Sequence, residues 1–248
     1  ITGMDPKELI EILKLQNNYS GTVKMDNIEI TNKNINLFKT QISSTEDFNT
    51  NMFFKNIYEE MEYIMKHNNM YPKNIEKRIK DAIKIVGLNQ TILEKNINLC
   101  SNSEIKILKL AFSLLLNPNI IIINEPFKGI DLINQKKIMI LLRKISEKYN
   151  KLIIFISNNS EILYKYTDNM IIIKNNKVLL SGKTKDVYQK VDILIDNNID
   201  IPKIVNFTYQ AKRKKVKIDY HTDIRDLIKD IYKHVWGDYY EVFNKIFI

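Results

Sequence analysis

The sequence predicts an α/β fold with a mostly parallel sheet, a helical subdomain and a small C-terminal extension. Three observations predict it: four consecutive isoleucines at 120–123, a second apolar run at 152–156 (LIIFI), and helical apolar periodicity before, between and after them. A short unbroken β-branched run reads as a strand covered on both faces. Strands alternating with helices argue for a parallel sheet with right-handed crossovers.

Taken in order, residues 75–86 (IEKRIKDAIKIV) place Ile79, Ile83 and Val86 at helical spacing, and Gly87 follows as a stop. Residues 103–116 form a second helix, capped by Ser101 or Ser103 and ended by Pro118. The strand 119–123 runs at once into Asn124, Glu125 and Pro126, where α/β sheets bind ligands. A helix at 134–149, the strand 152–156, a helix at 161–166 and a strand at 170–173 follow. Asn175–Asn176 turns that last strand into a hairpin with 177–180. Pro202 and the basic run near Arg213 precede a last helix at 224–234.

A chain of 248 residues suffices for one such domain with an appendage. With 44% hydrophobic residues it can fill a core, and disorder is not expected. One cysteine, Cys100, excludes an internal disulfide framework and reads as a small buried apolar residue. No stretch approaches the roughly 18 apolar residues of a membrane span, and residues 1–7 are neither basic nor long enough for a signal peptide. The chain is therefore expected to be soluble or peripheral. The formal charge of +9 comes mostly from scattered lysines in an Ile-, Lys- and Asn-rich chain. The exception is 211–217 (AKRKKVK), with five basic residues in seven. It reads as a solvated face, with an anionic lipid surface or nucleic acid as the functional alternatives.

Residues 120–131 (IIIINEPFKGID) carry the most specific pattern: a buried strand presenting a carboxylate, then Pro, then a turn ending in Asp. Nucleotide hydrolysis needs an acid to orient water and another to hold Mg²⁺. The bland reading of Glu125 is a strand-end acid capping the next turn. The string resembles the Walker B strand and D-loop of the ATP-binding-cassette (ABC) ATPases, a P-loop NTPase-like fold. The resemblance implies Glu125 as general base, Asn124 at the Mg²⁺ position and Asp131 as the D-loop acid. Asn124 departs from the family, because an amide brings no charge to the metal.

The flanking motifs match by spacing more than by identity. The signature loop falls on residues 100–104 with only Ser101 kept, and Asn102 and Ser103 stand where glycines let the backbone approach a γ-phosphate. The switch histidine falls on Asn158, after Ser157. Residues 20–23 (SGTV) match a family strand. About twenty residues before it, ITGMDPK sets Gly3 in the phosphate loop, Asp5 in place of Lys, and Pro6 and Lys7 in place of Ser and Thr. An Asp facing triphosphate is repulsive by roughly 1 kcal/mol or more. Lys7 substitutes for the missing Lys only after a two-residue shift. Residues 1–3 begin inside this loop, so the family's first strands and its adenine-stacking aromatic residue are expected to lie outside these 248 residues, if the chain is a fragment, or to be lost, if the domain is truncated. The Q-loop glutamine falls on Gln41, taken to follow a strand at 35–40, with Thr40 fitting nearly as well. Phe48, Phe53, Phe54, Tyr58 and Tyr63 either line a groove for a membrane partner or pack a core at helical spacing.

Residues 182–188 (GKTKDVY) are similar to the family's closing hairpin and helix. Residues 191–211 resemble the tail of the energy-coupling-factor importer ATPases, through Ile199, Asp200, Ile201, Pro202 and Ile204. The expected organisation is thus an ABC domain over 1–205, with its helical subdomain at about 53–117, and a helical extension over 206–248. The resemblance implies ATP and Mg²⁺ as ligands, both weakened by the replaced residues, with no dedicated metal-ligand cluster. It further implies a second ATPase subunit in a heterodimer, a polytopic membrane coupling subunit, a membrane-embedded substrate-binding subunit, and a peripheral position at the cytoplasmic face. The alternatives are a soluble ABC-type protein associated with nucleic acid or ribosomes, and a non-catalytic scaffold. Trp236, Tyr239, Tyr240, Phe243 and Phe247 read either as a dimer contact or as packing for the last helix.

Overall fold

The computed structural model describes residues 6–16, 20–48, 53–68, 74–125, 127 and 129–234. The aromatic C-terminal residues from Trp236 onward lie outside them. The described residues fall into two compact units, one over 6–156 and the other over 157–234.

The first unit opens with helix α1 (Pro6–Leu13), whose Leu9 and Ile10 are buried. Proline suits a first helical position, where its missing N–H has no partner to lose. A hairpin follows, β1 (Lys24–Met25) and β2 (Ile28–Glu29), turned by Asp26 and Asn27 at φ 50° and 64°. The strand read at 20–23 is not there. Val23 contributes only its carbonyl, accepting the Ile30 N–H at 2.8 Å, and the ladder starts one residue later.

The segment 35–40, taken as a strand, is instead the short helix α2 (Ile35–Lys39), and the strand β3 (Ile42–Ser44) follows Gln41. Helices α3 (Ile57–His67), α4 (Ile75–Ile85) and α5 (Asn102–Leu115) pack on one another where a helical subdomain was expected at about 53–117. Ile57, Met61 and Met65 recur every fourth residue along α3 and are fully buried, as are Ile79 and Ile83 of α4 and Leu108 of α5. Of the aromatic residues 48–63, Phe48 is core, with its ring centroid 4.0 Å from that of Phe112, while Phe53 is 84% exposed.

The isoleucine run is strand β4 (Ile120–Asn124). It pairs in parallel with β3 on one side and with β5 (Leu152–Ile156) on the other. Its central position explains why Ile121 and Ile122, whose side chains point to opposite faces, are both at 0% exposure. Helix α6 (Leu132–Tyr149) makes the crossover from β4 to β5 and ends at Asn150, whose φ of 50° suits a left-handed cap.

The second unit comprises α7 (Ser160–Tyr166), the antiparallel hairpin β6 (Asn169–Lys174) and β7 (Lys177–Lys183), α8 (Thr184–Tyr188), α9 (Val191–Asp196), α10 (Lys203–Arg213) and a last helical stretch at 224–234. Asn175 and Asn176, at φ 50° and 57°, turn the hairpin. The two compact units divide at 156/157, and residues 205 and 206, where the helical extension was expected to begin, lie inside α10. Packing holds this stretch in its unit. Val205 and Thr208 of α10 are at 0% exposure, the Ser160 hydroxyl donates to Asp200 at 2.6 Å, and the Lys203 N–H donates to Glu161 at 2.7 Å. The basic run follows the end of that helix. Lys212 Nζ lies 4.6 Å from the Tyr220 ring centroid and Arg213 sits over Tyr209, while 212–217 are exposed.

Ser160 is only 2% exposed, so its hydroxyl depends on Asp200. Asp200→Ala is expected to destabilise the chain by about 1–3 kcal/mol, the cost of a buried donor left without an acceptor. Denaturant unfolding would measure it, and an unchanged midpoint would show the bond to be dispensable.

Candidate functional site

The three parallel strands deliver their C-terminal ends to one place. Asn124, the last residue of β4, pairs with Ile156, the last of β5. Past the end of β3 the chain makes a 3₁₀ turn, Thr45–Asp47, held by a capping box. The Ser44 side chain accepts the Glu46 N–H at 3.1 Å, and the Asp47 carboxylate accepts the Ser44 N–H at 2.9 Å. Beyond these ends lies a cleft of about 540 Å³, lined by Thr45, Glu46, Asn124, Glu125, and Lys106 and Lys109 of α5 among others. Its size is that of a small-molecule site, and its position is where ligands bind α/β sheets.

Glu125 stands at the cleft with its backbone at φ 41°, in the left-handed region that non-glycine residues seldom occupy. Its N–H donates to the Ile156 carbonyl at 2.9 Å, which carries the parallel ladder one residue past the strand and holds the backbone there. Asn124 donates its N–H to Thr45 Oγ1 at 3.3 Å, but its own Oδ1 is buried and has no hydrogen-bond partner among the described residues. A buried acceptor without a donor calls for a ligand, an ion or water. Magnesium takes one or two carboxylates, keeps several waters and accepts neutral oxygens. An orphaned amide oxygen beside a carboxylate fits such an ion, with less charge than two carboxylates would bring.

Two further expected residues adjoin the cleft through their chain neighbours. Ser101 precedes the lining residue Asn102 and caps α5. Its hydroxyl accepts the Glu104 N–H at 3.2 Å, and Glu104 accepts the Ser101 N–H at 2.7 Å. Asp131 follows the lining residue Ile130 and caps α6 by accepting the Asn134 N–H at 2.9 Å, which holds its carboxyl below the usual range. Ser103 Oγ donates to the Gly129 carbonyl at 3.4 Å, tying the start of α5 to the turn after β4.

The Ser101 N–H and, after it, the Ser101 hydroxyl hold the Glu104 carboxyl below its usual range, and Ser101→Ala removes the hydroxyl's share. The folded pKa of Glu104 thus lies under the unfolded value, so this stabilisation is complete above about pH 5 and is lost as pH falls below about 4. Ser101→Ala is expected to cost about 1 kcal/mol at neutral pH. Thermal melts at pH 7 and pH 3.5 check it, and the difference between wild type and variant should shrink at the lower pH.

Other expected site residues fall elsewhere. Gln41 is at the wrong end of the strand. Its carbonyl accepts the Asn119 and Ile120 N–H groups, and its side chain accepts from Asn119, at the start of β4. At about 3.3 Å per residue it lies some 15 Å from the Asn124 end. Thr45 and Glu46 hold the position after the strand instead. Gly3 and Asp5 lie outside the described residues. Pro6 opens α1, and Lys7 is exposed on its first turn. Asn158 belongs to the second unit, where it is exposed just before α7. The sequence reading missed Thr45, Glu46, Lys106 and Lys109. The polar strand ISS followed by two acids was the available signal for the first pair.

A family model described as ABC transporter matches residues 9–128. The chain is 21% identical over 239 residues to the energy-coupling factor transporter ATP-binding protein EcfA2 of Streptococcus pyogenes, covering 94% of this chain and 85% of the relative. It is 22% identical over 221 residues to the protein of that name from Caldanaerobacter subterraneus, covering 88% and 77%. Among solved structures, it superposes with a TM-score of 0.64 on cbiO1 of Clostridium perfringens, part of the ABC transporter complex cbiONQ, at 22% identity over 84% of this chain and 86% of that one. A dimeric ATP-binding cassette in a post-hydrolysis state, bound to ADP and Pi, superposes with a TM-score of 0.61 at 19% identity, over 72% and 80%.

Proposed function

We propose that the chain, whose residues 9–128 match the ABC transporter family model and whose fold superposes on ABC cassettes, is the ATP-binding, energy-coupling subunit of an importer of the energy-coupling-factor type and the catalytically impaired half of its ATPase dimer. The observation that carries this reading is the strand end itself: Glu125 is kept at the mouth of the cleft, while the neighbouring position is the neutral Asn124.

In this reading ATP occupies the cleft beyond β4. Glu125 orients a water and accepts its proton, and the ladder bond from its N–H fixes where the carboxylate begins. Asn124 Oδ1 and Glu125 would hold magnesium, which neutralises charge on the phosphate oxygens. Impairment follows from the side chains present. Asn124 adds no negative charge, and Asn102 and Ser103 place Cβ atoms where a signature glycine would let backbone N–H groups reach phosphate. Ser103 and Gly129 are bonded to one another, which ties the signature position to the turn after β4. That suits a chain that transmits motion to a partner while contributing little chemistry.

Among the described residues no helix is long and apolar enough to cross a membrane; in this reading other chains supply the membrane-spanning parts. A polytopic coupling subunit would dock against the exposed Phe53 and the partly exposed Phe54 and Tyr63. The buried Glu60 holds that loop by accepting the Phe53 and Phe54 N–H groups at 3.1 and 3.3 Å. The second ATPase would complete the dimer, a membrane-embedded subunit would choose the substrate, and the chain would sit peripherally at the cytoplasmic face.

Purification of the tagged chain from detergent-solubilised membranes tests this. The expected result is recovery with a second cassette bearing an intact phosphate loop and with polytopic membrane proteins. Recovery only from the soluble fraction, with RNA or ribosomes and in a salt-sensitive manner that depends on Lys212–Lys217, would replace it with the nucleic-acid reading.

A further inference from the structure

We propose that the basic turn at 212–217 and the helix at 224–234 bind an anionic lipid bilayer directly. The inference goes beyond the transporter reading, in which other chains hold the protein at the membrane, and does not depend on it.

The turn displays its charge to solvent. Helix α10 ends with the Val216 N–H donating to the Ala211 carbonyl at 3.0 Å and the Lys215 N–H to the Lys212 carbonyl at 2.9 Å. Lys215 takes the left-handed position of this helix end, at φ 65°, a place that glycine usually fills. Lys212 and Arg213, in the last turn of α10, complement the helix dipole. That reason does not extend to Lys215 and Lys217, which lie past the helix. Lys214, Lys215 and Lys217 are all exposed, and none is in an ion pair among the described residues.

The helix at 224–234 supplies the apolar part. Ile224, Ile228 and Tyr232 recur every fourth residue, so they share one side, and they are 61%, 44% and 59% exposed. Arg225, Lys229 and Lys233, each one residue further on, are exposed beside them. Leu227 is buried, so the helix is already packed along another side. The segment after the turn is tied to this helix. The Asp219 N–H donates to the Asp230 carboxylate at 2.8 Å, and His221 Nε2 lies 3.0 Å from the same oxygen. An exposed apolar stripe bordered by Lys and Arg is what an interfacial helix lays on a bilayer. A polybasic segment beside it adds attraction to anionic headgroups. Over 212–234, eight Lys and Arg stand against four Asp, so the field there is positive.

Nucleic acid fits this surface less well. Proteins that hold single strands stack bases on free aromatic faces. Here Lys212 and Arg213 already lie over the rings of Tyr220 and Tyr209. The exposed Ile224 and Ile228 would also have no role on a phosphate backbone.

The test sediments the purified full chain with protein-free vesicles of phosphatidylcholine, with and without phosphatidylserine. Binding is expected only where phosphatidylserine is present, and it should weaken as salt rises. The triple variant Lys214→Gln, Lys215→Gln, Lys217→Gln is expected to bind about 100-fold more weakly, each lysine near the surface contributing its share. Ile224→Ser together with Ile228→Ser should weaken binding about tenfold by removing the apolar stripe. All five positions are exposed, and circular dichroism checks that each variant is folded. No binding to the anionic vesicles, equal binding to phosphatidylcholine alone, or an unchanged triple variant would each overturn the proposal. So would preference for single-stranded RNA over vesicles, or self-association lost in the double isoleucine variant without vesicle binding. The vesicles hold no protein, so failure here leaves the transporter reading standing, and failure of that reading leaves vesicle binding unaffected.

Discussion

Replacing Ile122 by alanine is expected to lower stability by about 2–5 kcal/mol, a large share of the roughly 5–15 kcal/mol that holds a typical domain together. Ile122 is at 0% exposure in the middle strand of a three-stranded parallel sheet, pinned between Ser44 of β3 and Ile154 of β5. Truncation leaves a cavity that strands hydrogen-bonded on both sides cannot collapse to fill. Ile122→Val keeps most of the volume and should cost about 0.5–1.5 kcal/mol. Ile140→Ala, at a residue 50% exposed on α6, should stay within about 0.5 kcal/mol of wild type. Chemical denaturation of the three variants checks the ranking. Equal effects at 122 and 140 would contradict a central buried strand. A destabilised β4 also misplaces Asn124 and Glu125, so Ile122→Ala should weaken nucleotide binding without touching ligand.

In the assembled transporter, Glu125→Gln is expected to leave most ATP turnover in place. Replacing the corresponding glutamate of the second cassette should reduce it by about 10²–10⁴-fold, the usual worth of a general base. The asymmetry follows from the site. The proton-accepting carboxylate at Glu125 acts beside a neutral Asn124, and the positions that would present backbone N–H groups carry Asn102 and Ser103. Phosphate release from the reconstituted complex, with one glutamate altered at a time, measures the difference. Loss of most turnover in Glu125→Gln would show that this chain's site carries the chemistry and that it is not the impaired half.

Much of the fold was legible because its strongest signals are local. Four isoleucines in a row need no distant information to read as a strand covered on both sides, and β4 is that strand. Asn175–Asn176 turns a hairpin by an intrinsic tolerance of positive φ. Ser101, one of the two caps that the sequence offered, caps α5. What escaped the sequence depended on partners far along the chain. The strand β3 is short and polar, and Ser43 is tolerated inside because its hydroxyl donates to the Ser113 carbonyl, 70 residues away, at 3.1 Å. Without that contact, the more apolar INLFK looked like the strand, and the shift set Gln41 at the site in place of Thr45 and Glu46. The basic run suggested a break near 205/206, and those residues lie within α10, whose Val205 and Thr208 are buried.

A nucleotide site beyond β4 should show itself in calorimetric titration of Mg-ATP into the purified Glu125→Gln chain, where no hydrolysis contributes heat. Saturable binding is expected, with Kd between about 1 μM and about 1 mM, the range in which enzymes usually hold substrates. Blocking the cleft with Asn124→Trp is expected to abolish the signal. No heat of binding up to several times about 1 mM ATP, or binding indifferent to the block at residue 124, would contradict a site there.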